Sequence, residues 1–230
     1  MNSLVLLNGS PRGERSNSMK MLKRVAEGWV RSGGAQPEVL HLVRRAQFQL
    51  AVEAFAGADV VLLGMPLYTD AMPALVKAYI EALTPRVEAA RSGGANPTLA
   101  FLVQSGFPEA AHSRPLERYL KKLALRMGSH YAGTIVRGGG ESLQAMPDQA
   151  NRKLWARLGT LGEQLARNGR FGAAELKAVA GTERLSRFGV MIASVACRLP
   201  VFQFYWNGTL KKNGAWERRF AAPYGSAFEK

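Results

Sequence analysis

The 230-residue chain is 47% hydrophobic and 21% charged, the balance of a globular protein with enough mass for a full core. Its one cysteine, Cys197, excludes an intrachain disulfide and any all-cysteine zinc or iron–sulfur site, and its apolar setting reads as a packed core thiol. The net charge of +14 draws phosphate groups, acidic partners, nucleic acid or anionic lipid, but no zinc-finger spacing or RNP-type aromatic motif marks a nucleic-acid reader.

Leu4-Val5-Leu6-Leu7 is a short apolar run, read as a buried strand. It is too short for a signal-peptide core, and Met1-Asn2-Ser3 carries no basic residue, so a cytoplasmic chain is expected. A helix is predicted over residues 17–32, with Met19, Leu22, Ala26, Trp29 and Val30 on one face and Gly33-Gly34 ending it. A second strand follows over residues 37–42, then a short helix over 47–56. Residues 59–64 are apolar throughout, as in a central strand covered on both faces. Residues 65–70 form a loop, and Met72, Leu75, Val76, Tyr79, Ile80 and Leu83 mark the next helix, with Pro73 in its first turn. Residues 86–97 read as an exposed connection.

A fourth strand is predicted over residues 98–103 and a loop over 104–109. Leu116, Tyr119, Leu120, Leu123 and Met127 make the helix that Gly128 stops. The fifth strand covers 131–136, followed by Gly138-Gly139-Gly140 and a helix over 148–168 that turns Leu154, Leu158, Leu161 and Leu165 inward. Strands and helices thus alternate five times, which specifies a parallel sheet with helices on both faces. Ligands of such sheets sit beyond the C-terminal strand ends, where strand order reverses. The loops at 9–18, 66–72 and 104–109 should therefore converge.

The first loop, Asn8-Gly9-Ser10-Pro11-Arg12-Gly13, runs into Ser16-Asn17-Ser18 at a helix start. Free N–H groups and the helix dipole make such a place an anion site, unless the Ser-Asn-Ser cluster serves only as a helix cap. The loop has neither G-x-x-x-x-G-K-[ST] nor G-x-G-x-x-G, which argues against a P-loop nucleotidase and a dinucleotide fold. A hydroxyl-rich cradle with Arg12 and without lysine suits a terminal monophosphate. Leu67, Tyr68 and Met72 in the second loop, with Ser105, Gly106 and Phe107 in the third, offer surface for a flat ring. Alternatively Tyr68 caps the loop and Phe107 packs under the helix after it. A phosphate at the first loop and a ring over the other two describe flavin mononucleotide (FMN). His41, His112 and His130 read as surface or capping residues, and no general acid, base or metal cluster is evident.

These motifs resemble a family. Gly9-Ser10-Pro11-Arg12-Gly13 with Ser16-Asn17-Ser18 is similar to the phosphate loop of the flavodoxin-like NAD(P)H-dependent oxidoreductases, the NADPH-dependent FMN reductase group. Pro66-Leu67-Tyr68-Thr69-Asp70 with Pro73 resembles their flavin-ring loop, and Ser105-Gly106-Phe107-Pro108-Glu109 with Gly138-Gly139-Gly140 resembles later elements of one branch. The likeness covers residues 3–168. It implies an α/β fold, a three-layer doubly wound five-stranded parallel sheet of order 2-1-3-4-5. It implies that Ser10, Arg12, Ser16, Asn17 and Ser18 bind the FMN phosphate, that Pro66, Leu67, Tyr68 and Asp70 line the flavin, and that Ser105 and Gly106 close its other side. The implied activity passes hydride from NADPH or NADH through FMN to a quinone, flavin or other small acceptor. The alternatives are an electron carrier without NAD(P)H turnover and a basic binding protein on a vestigial fold. The iron–sulfur branch carries a compact cysteine motif that this chain lacks.

Residues 1–168 are accordingly expected as the FMN-binding domain and 169–230 as a C-terminal extension. There, after a break at 169–172, residues 183–199 should form an amphipathic helix with Leu185, Phe188, Ile192, Val195 and Leu199 on one face. The apolar run 188–197 falls short of the roughly 20 residues of a membrane span. An aromatic-rich stretch (Phe202, Phe204, Tyr205, Trp206) and the basic pairs Lys211-Lys212 and Arg218-Arg219 follow. This tail packs on its own core, on a second subunit of a homodimer or larger homo-oligomer, or on a membrane surface or acidic partner.

Overall fold

A computed structural model of the chain describes residues 3–91, 96–196 and 203–222; Cys197, Leu199 and Phe202 lie outside them. The described residues as far as Arg184 form one compact unit, and those from Leu185 a second.

The first unit is built on β1 (Leu4–Asn8), β2 (Glu38–His41), β3 (Val60–Pro66), β4 (Thr98–Gln104) and β5 (Tyr131–Arg137). The strands form one sheet of order β2-β1-β3-β4-β5 with every pairing parallel, as expected. β1, β3 and β4 are buried along their whole lengths, which is why their sequences are unbroken apolar runs. Successive residues still serve opposite faces. On one face Val5, Leu7, Val61, Leu63, Phe101 and Val103 join Phe55 of α2 (Arg45–Gly57), Tyr79 of α3 (Ala74–Ala82) and Leu120 of α5 (Arg114–Arg126). On the other, Leu4, Leu6, Val60, Leu62 and Leu102 join Leu22 and Trp29 of α1 (Asn17–Arg31) and Leu158 and Leu161 of α7 (Arg152–Asn168). Each such fully buried side chain contributes about 1.5–3 kcal/mol.

α1 and α7 meet at backbone distance. A Cβ on Gly28 would lie 1.9 Å from the Gly159 carbonyl oxygen, and one on Gly162 would lie 1.9 Å from that of Val25.

Several elements differ from the sequence reading. α4 (Thr84–Arg91) replaces the first half of the expected exposed connection, and Val87 anchors it in the core. Its charged sequence hid a helix that buries little. Pro73 is the N-cap of α3 rather than a first-turn residue, with an extended backbone. Met65 and Pro66 belong to β3, so the second loop begins at Leu67. α1 and α5 bury narrower stripes than their patterns suggested, leaving Val30 and Tyr119 exposed. α7 starts at Arg152 after a turn at 148–151. α6 (Ser142–Ala145) and α8 (Ala173–Ala180) were not visible in the sequence.

The first unit does not stop at Asn168. Phe171 N–H donates to the Ala132 carbonyl, and Gly138 N–H to that of Ala180. Val179 is fully buried, and Glu183 pairs with Arg114 at 2.8 Å. The second unit contains α9 (Arg187–Ala196) and α10 (Phe204–Lys212); α10 takes up much of the stretch read only as aromatic-rich.

Candidate functional site

Strand order reverses between β1 and β3, and the first loop leaves β1 at that point. Asn8, the last residue of β1, is fully buried and organises the loop. Its Nδ2 donates its two hydrogens to the Gly13 carbonyl (2.7 Å) and to His41 Nδ1 (3.0 Å), while its Oδ1 accepts the Ser10 N–H (3.1 Å) and the Ser16 hydroxyl (3.4 Å). Gly13 turns the chain with φ +57°, a conformation open to glycine without strain.

His41 is not a surface or capping residue. It is 3% exposed at the end of β2. Because Nδ1 faces the Asn8 donor it must accept, so the ring carries its proton on Nε2 and donates to Glu14 Oε2 at 2.8 Å. Glu14 also pairs with Lys23, whose hydrogen bond and charge, joined by the hydrogen bond from His41, hold its carboxyl below the usual carboxylate value. One chain of polar contacts thus ties the first loop to β2 and α1.

Ser16 caps α1: its Oγ accepts the Met19 N–H at 3.1 Å and its carbonyl the Lys20 N–H. The N–H groups of Asn17 and Ser18 open the helix, where no intrahelical carbonyl can reach them. The Asn17 side chain is 2% exposed, yet both its Nδ2 and its Oδ1 lack a partner among the described residues, as does the fully buried Ser18 Oγ. Buried polar groups are otherwise satisfied in folded proteins, so this cluster is built to meet something polar. Arg12, half exposed, reaches across to Glu141 at 3.4 Å.

The second loop folds back as a tight turn in which Tyr68 and Ala71 exchange N–H···O bonds of 2.9 and 3.0 Å. Thr69 and Asp70 both take positive φ (47° and 62°), which costs about 1–3 kcal/mol at a non-glycine residue. The third loop is locked onto the glycine loop after β5: Ser105 accepts from Gly140 N–H (2.7 Å) and Phe107 from Gly139 N–H (2.6 Å).

The three loops converge on one cleft of about 60 Å³, lined by Ser10, Arg12, Ser16, Asn17, Pro66, Leu67, Tyr68, Gln104, Gly106 and Glu141. Of the predicted residues, Ser18, Asp70 and Ser105 do not line it. Ser18 sits beneath it in the core, and Ser105 turns its hydroxyl to the Phe107 carbonyl. Asp70 stands on the turn at two neighbouring depressions. Tyr68 is 44% exposed and Phe107 63%, so Phe107 does not pack under α5; its ring lies 5.0 Å from that of His112.

Sequence reasoning missed Asn8, His41, Gln104 and Glu141 as site residues. Asn8 and Gln104 carried a signal, as polar residues closing apolar strands. Gln104 is 8% exposed and its Oε1 is unpartnered among the described residues. Glu141 had none, since only the fold brings the loop after β5 to Arg12.

A family model described as "Flavodoxin-like fold" matches residues 2–158. The chain belongs to this family. Solved structures of flavodoxin-like proteins superpose on it at low identity. One is an NADPH-quinone reductase from P. pentosaceus (TM-score 0.55, 20% identity, 73% of this chain and 99% of that one). Another is the apo form of an NADH:FMN oxidoreductase (0.55, 20%, 81% and 97%). A third is an FMN-dependent NADH-azoreductase from Bacillus anthracis in complex with FMN (0.55, 14%, 72% and 100%). At these identities the likeness is one of fold. No curated protein matches the sequence.

Proposed function

We propose that this flavodoxin-like chain is an FMN-dependent NAD(P)H oxidoreductase that passes reducing equivalents to a quinone, a flavin or another small acceptor. The observation that carries the proposal is the unpartnered Asn17 amide, fully buried at a helix N-terminus beside Ser10, Ser16 and Arg12. The residues fit the group. The Asn17 and Ser18 N–H groups, Asn17 Nδ2 and the Ser10 hydroxyl are donors for phosphate oxygens, and Asn17 Oδ1 is an acceptor for a ribityl hydroxyl. Arg12 adds a positive charge at the rim. The fold-mates named above include a quinone reductase, an NADH:FMN oxidoreductase and an FMN-dependent azoreductase, which supports the same reading.

When bound, FMN supplies the hydride chemistry. The chain's own residues position and shield it. Pro66, Leu67 and Tyr68 offer an apolar wall, and Gly106, beside which a Cβ would meet no atom within 4 Å, leaves room at the other. Gln104 lines the same cleft. A carrier flavodoxin matches basic reductases with an acidic surface, whereas this chain carries +14, which favours the enzyme over the carrier.

The test is to load the purified protein with FMN and titrate NADPH, then NADH, without oxygen. Bleaching of the flavin absorbance with either supports the proposal. Retained flavin that only light reduces would make the chain a carrier, and failure to retain FMN would remove both readings.

A further inference from the structure

The second unit is built unlike the first. α9 places Phe188, Met191, Ile192 and Val195 at i, i+3, i+4 and i+7, one face of a helix. In a core helix such a stripe is covered, but here the four side chains are 65%, 54%, 50% and 55% exposed. Beyond α9, Phe204 and Phe220 are 80% and 86% exposed. Apolar surface gathered like this marks an interaction site.

The same stretch of sequence is basic. From Leu185 onward the sequence has Arg187, Arg198, Lys211, Lys212, Arg218, Arg219 and Lys230 against only Glu217 and Glu229, a net +5. The pairing is local: the Arg219 guanidinium lies 3.9 Å above the Trp216 ring, and Lys211 Nζ lies 5.1 Å from the same ring. Arg219 also lies 4.8 Å from the Phe220 ring. No helix among the described residues is long and apolar enough to cross a membrane.

We propose that this unit is a docking surface for an anionic phospholipid bilayer, with the α9 stripe inserted at the interface. Aromatic rings side by side with Lys and Arg suit the headgroup layer, where the ring reaches the acyl boundary and the cation reaches lipid phosphate. A ten-residue helix with an exposed apolar face lies in that layer instead of crossing it. A second copy is the weaker occupant, because it would press one +5 surface against another. The inference does not depend on the flavin.

The test is co-flotation of the full-length protein with vesicles, either of phosphatidylcholine alone or with about one-third phosphatidylglycerol. The surface predicts flotation with the anionic vesicles and much less with the neutral ones. Neutralising Lys211, Lys212, Arg218 and Arg219 to Gln should lower the partition coefficient roughly 1,000-fold. A second variant, Phe188→Ser with Ile192→Ser, changes only exposed positions, and its circular dichroism melt checks folding. It should also abolish flotation and the fraction of binding that survives a rise in salt from about 50 to 300 mM. Three results would overturn the proposal: no flotation with either vesicle, anionic binding that the double Ser variant leaves intact, or sedimentation velocity showing a dimer that the Ser variant splits while vesicles stay unbound.

Discussion

Asn8→Ala is the sharpest perturbation of the phosphate loop. The side chain gives two hydrogen bonds, to the Gly13 carbonyl and His41 Nδ1, and accepts two, from the Ser10 N–H and the Ser16 hydroxyl, all buried. A net hydrogen bond is worth about 0.5–1.5 kcal/mol, and a buried group left unsatisfied costs about 1–3. Truncation orphans the buried Ser10 N–H, while the Gly13 carbonyl keeps the Ser16 N–H at 3.1 Å, so the expected loss is about 1–3 kcal/mol of unfolding free energy. Urea denaturation followed by circular dichroism measures it. Because the same bonds set the course of residues 10–16, FMN affinity should fall at least about tenfold, read by quenching of flavin fluorescence. A double-mutant cycle with His41→Ala should give a coupling of about 0.5–3 kcal/mol, since the two side chains touch. A loss below about 0.5 kcal/mol, or additive single variants, would refute the role given to Asn8.

Three further outcomes follow from the same structure. Arg12→Ala should weaken FMN binding while leaving the urea midpoint nearly unchanged, because an exposed ion pair such as Arg12–Glu141 is worth about 0–1 kcal/mol; unchanged affinity with lowered stability would mean that Arg12 only holds the loop. Gly162→Ala should cost about 1–3 kcal/mol or more, since its Cβ meets the Val25 carbonyl oxygen at 1.9 Å and backbone must move; thermal unfolding measures this. Glu14 is held below its ordinary value of 4.5 by its hydrogen bond to Lys23 above all, so its carboxylate favours folding above that pH and the benefit is lost as pH falls through the lowered value. The gap in urea midpoint between wild type and Glu14→Gln should therefore be constant near neutrality and close only below about pH 4.5.

Much of this was written in the chain. Unbroken apolar runs at 4–7, 60–64 and 99–103 identified strands covered on both faces, and their alternation with 3.6-period stripes fixed a parallel sheet. The residue classes in the three loops pointed to one cleft because a parallel sheet sends every such loop to the same edge. Local signals also carried the Ser16-Asn17-Ser18 cluster as the start of α1 and the break at 169–172 as the end of α7, since helix ends depend on neighbours within a turn.

The tertiary structure alone decided which polar side chains are buried and what they meet. The sequence around His41 is that of an edge strand, and nothing in it says that Asn8, 33 residues earlier, supplies the donor that fixes its tautomer. Glu141 meets Arg12 across 129 residues, an encounter set by the sheet order and not by either neighbourhood. α4 and α8 were hidden because each buries only one or two side chains, too few to leave a period in the sequence. Sequence pattern reports how a segment divides itself between core and surface. Which distant segment completes a polar site is settled only when packing brings the strand ends together.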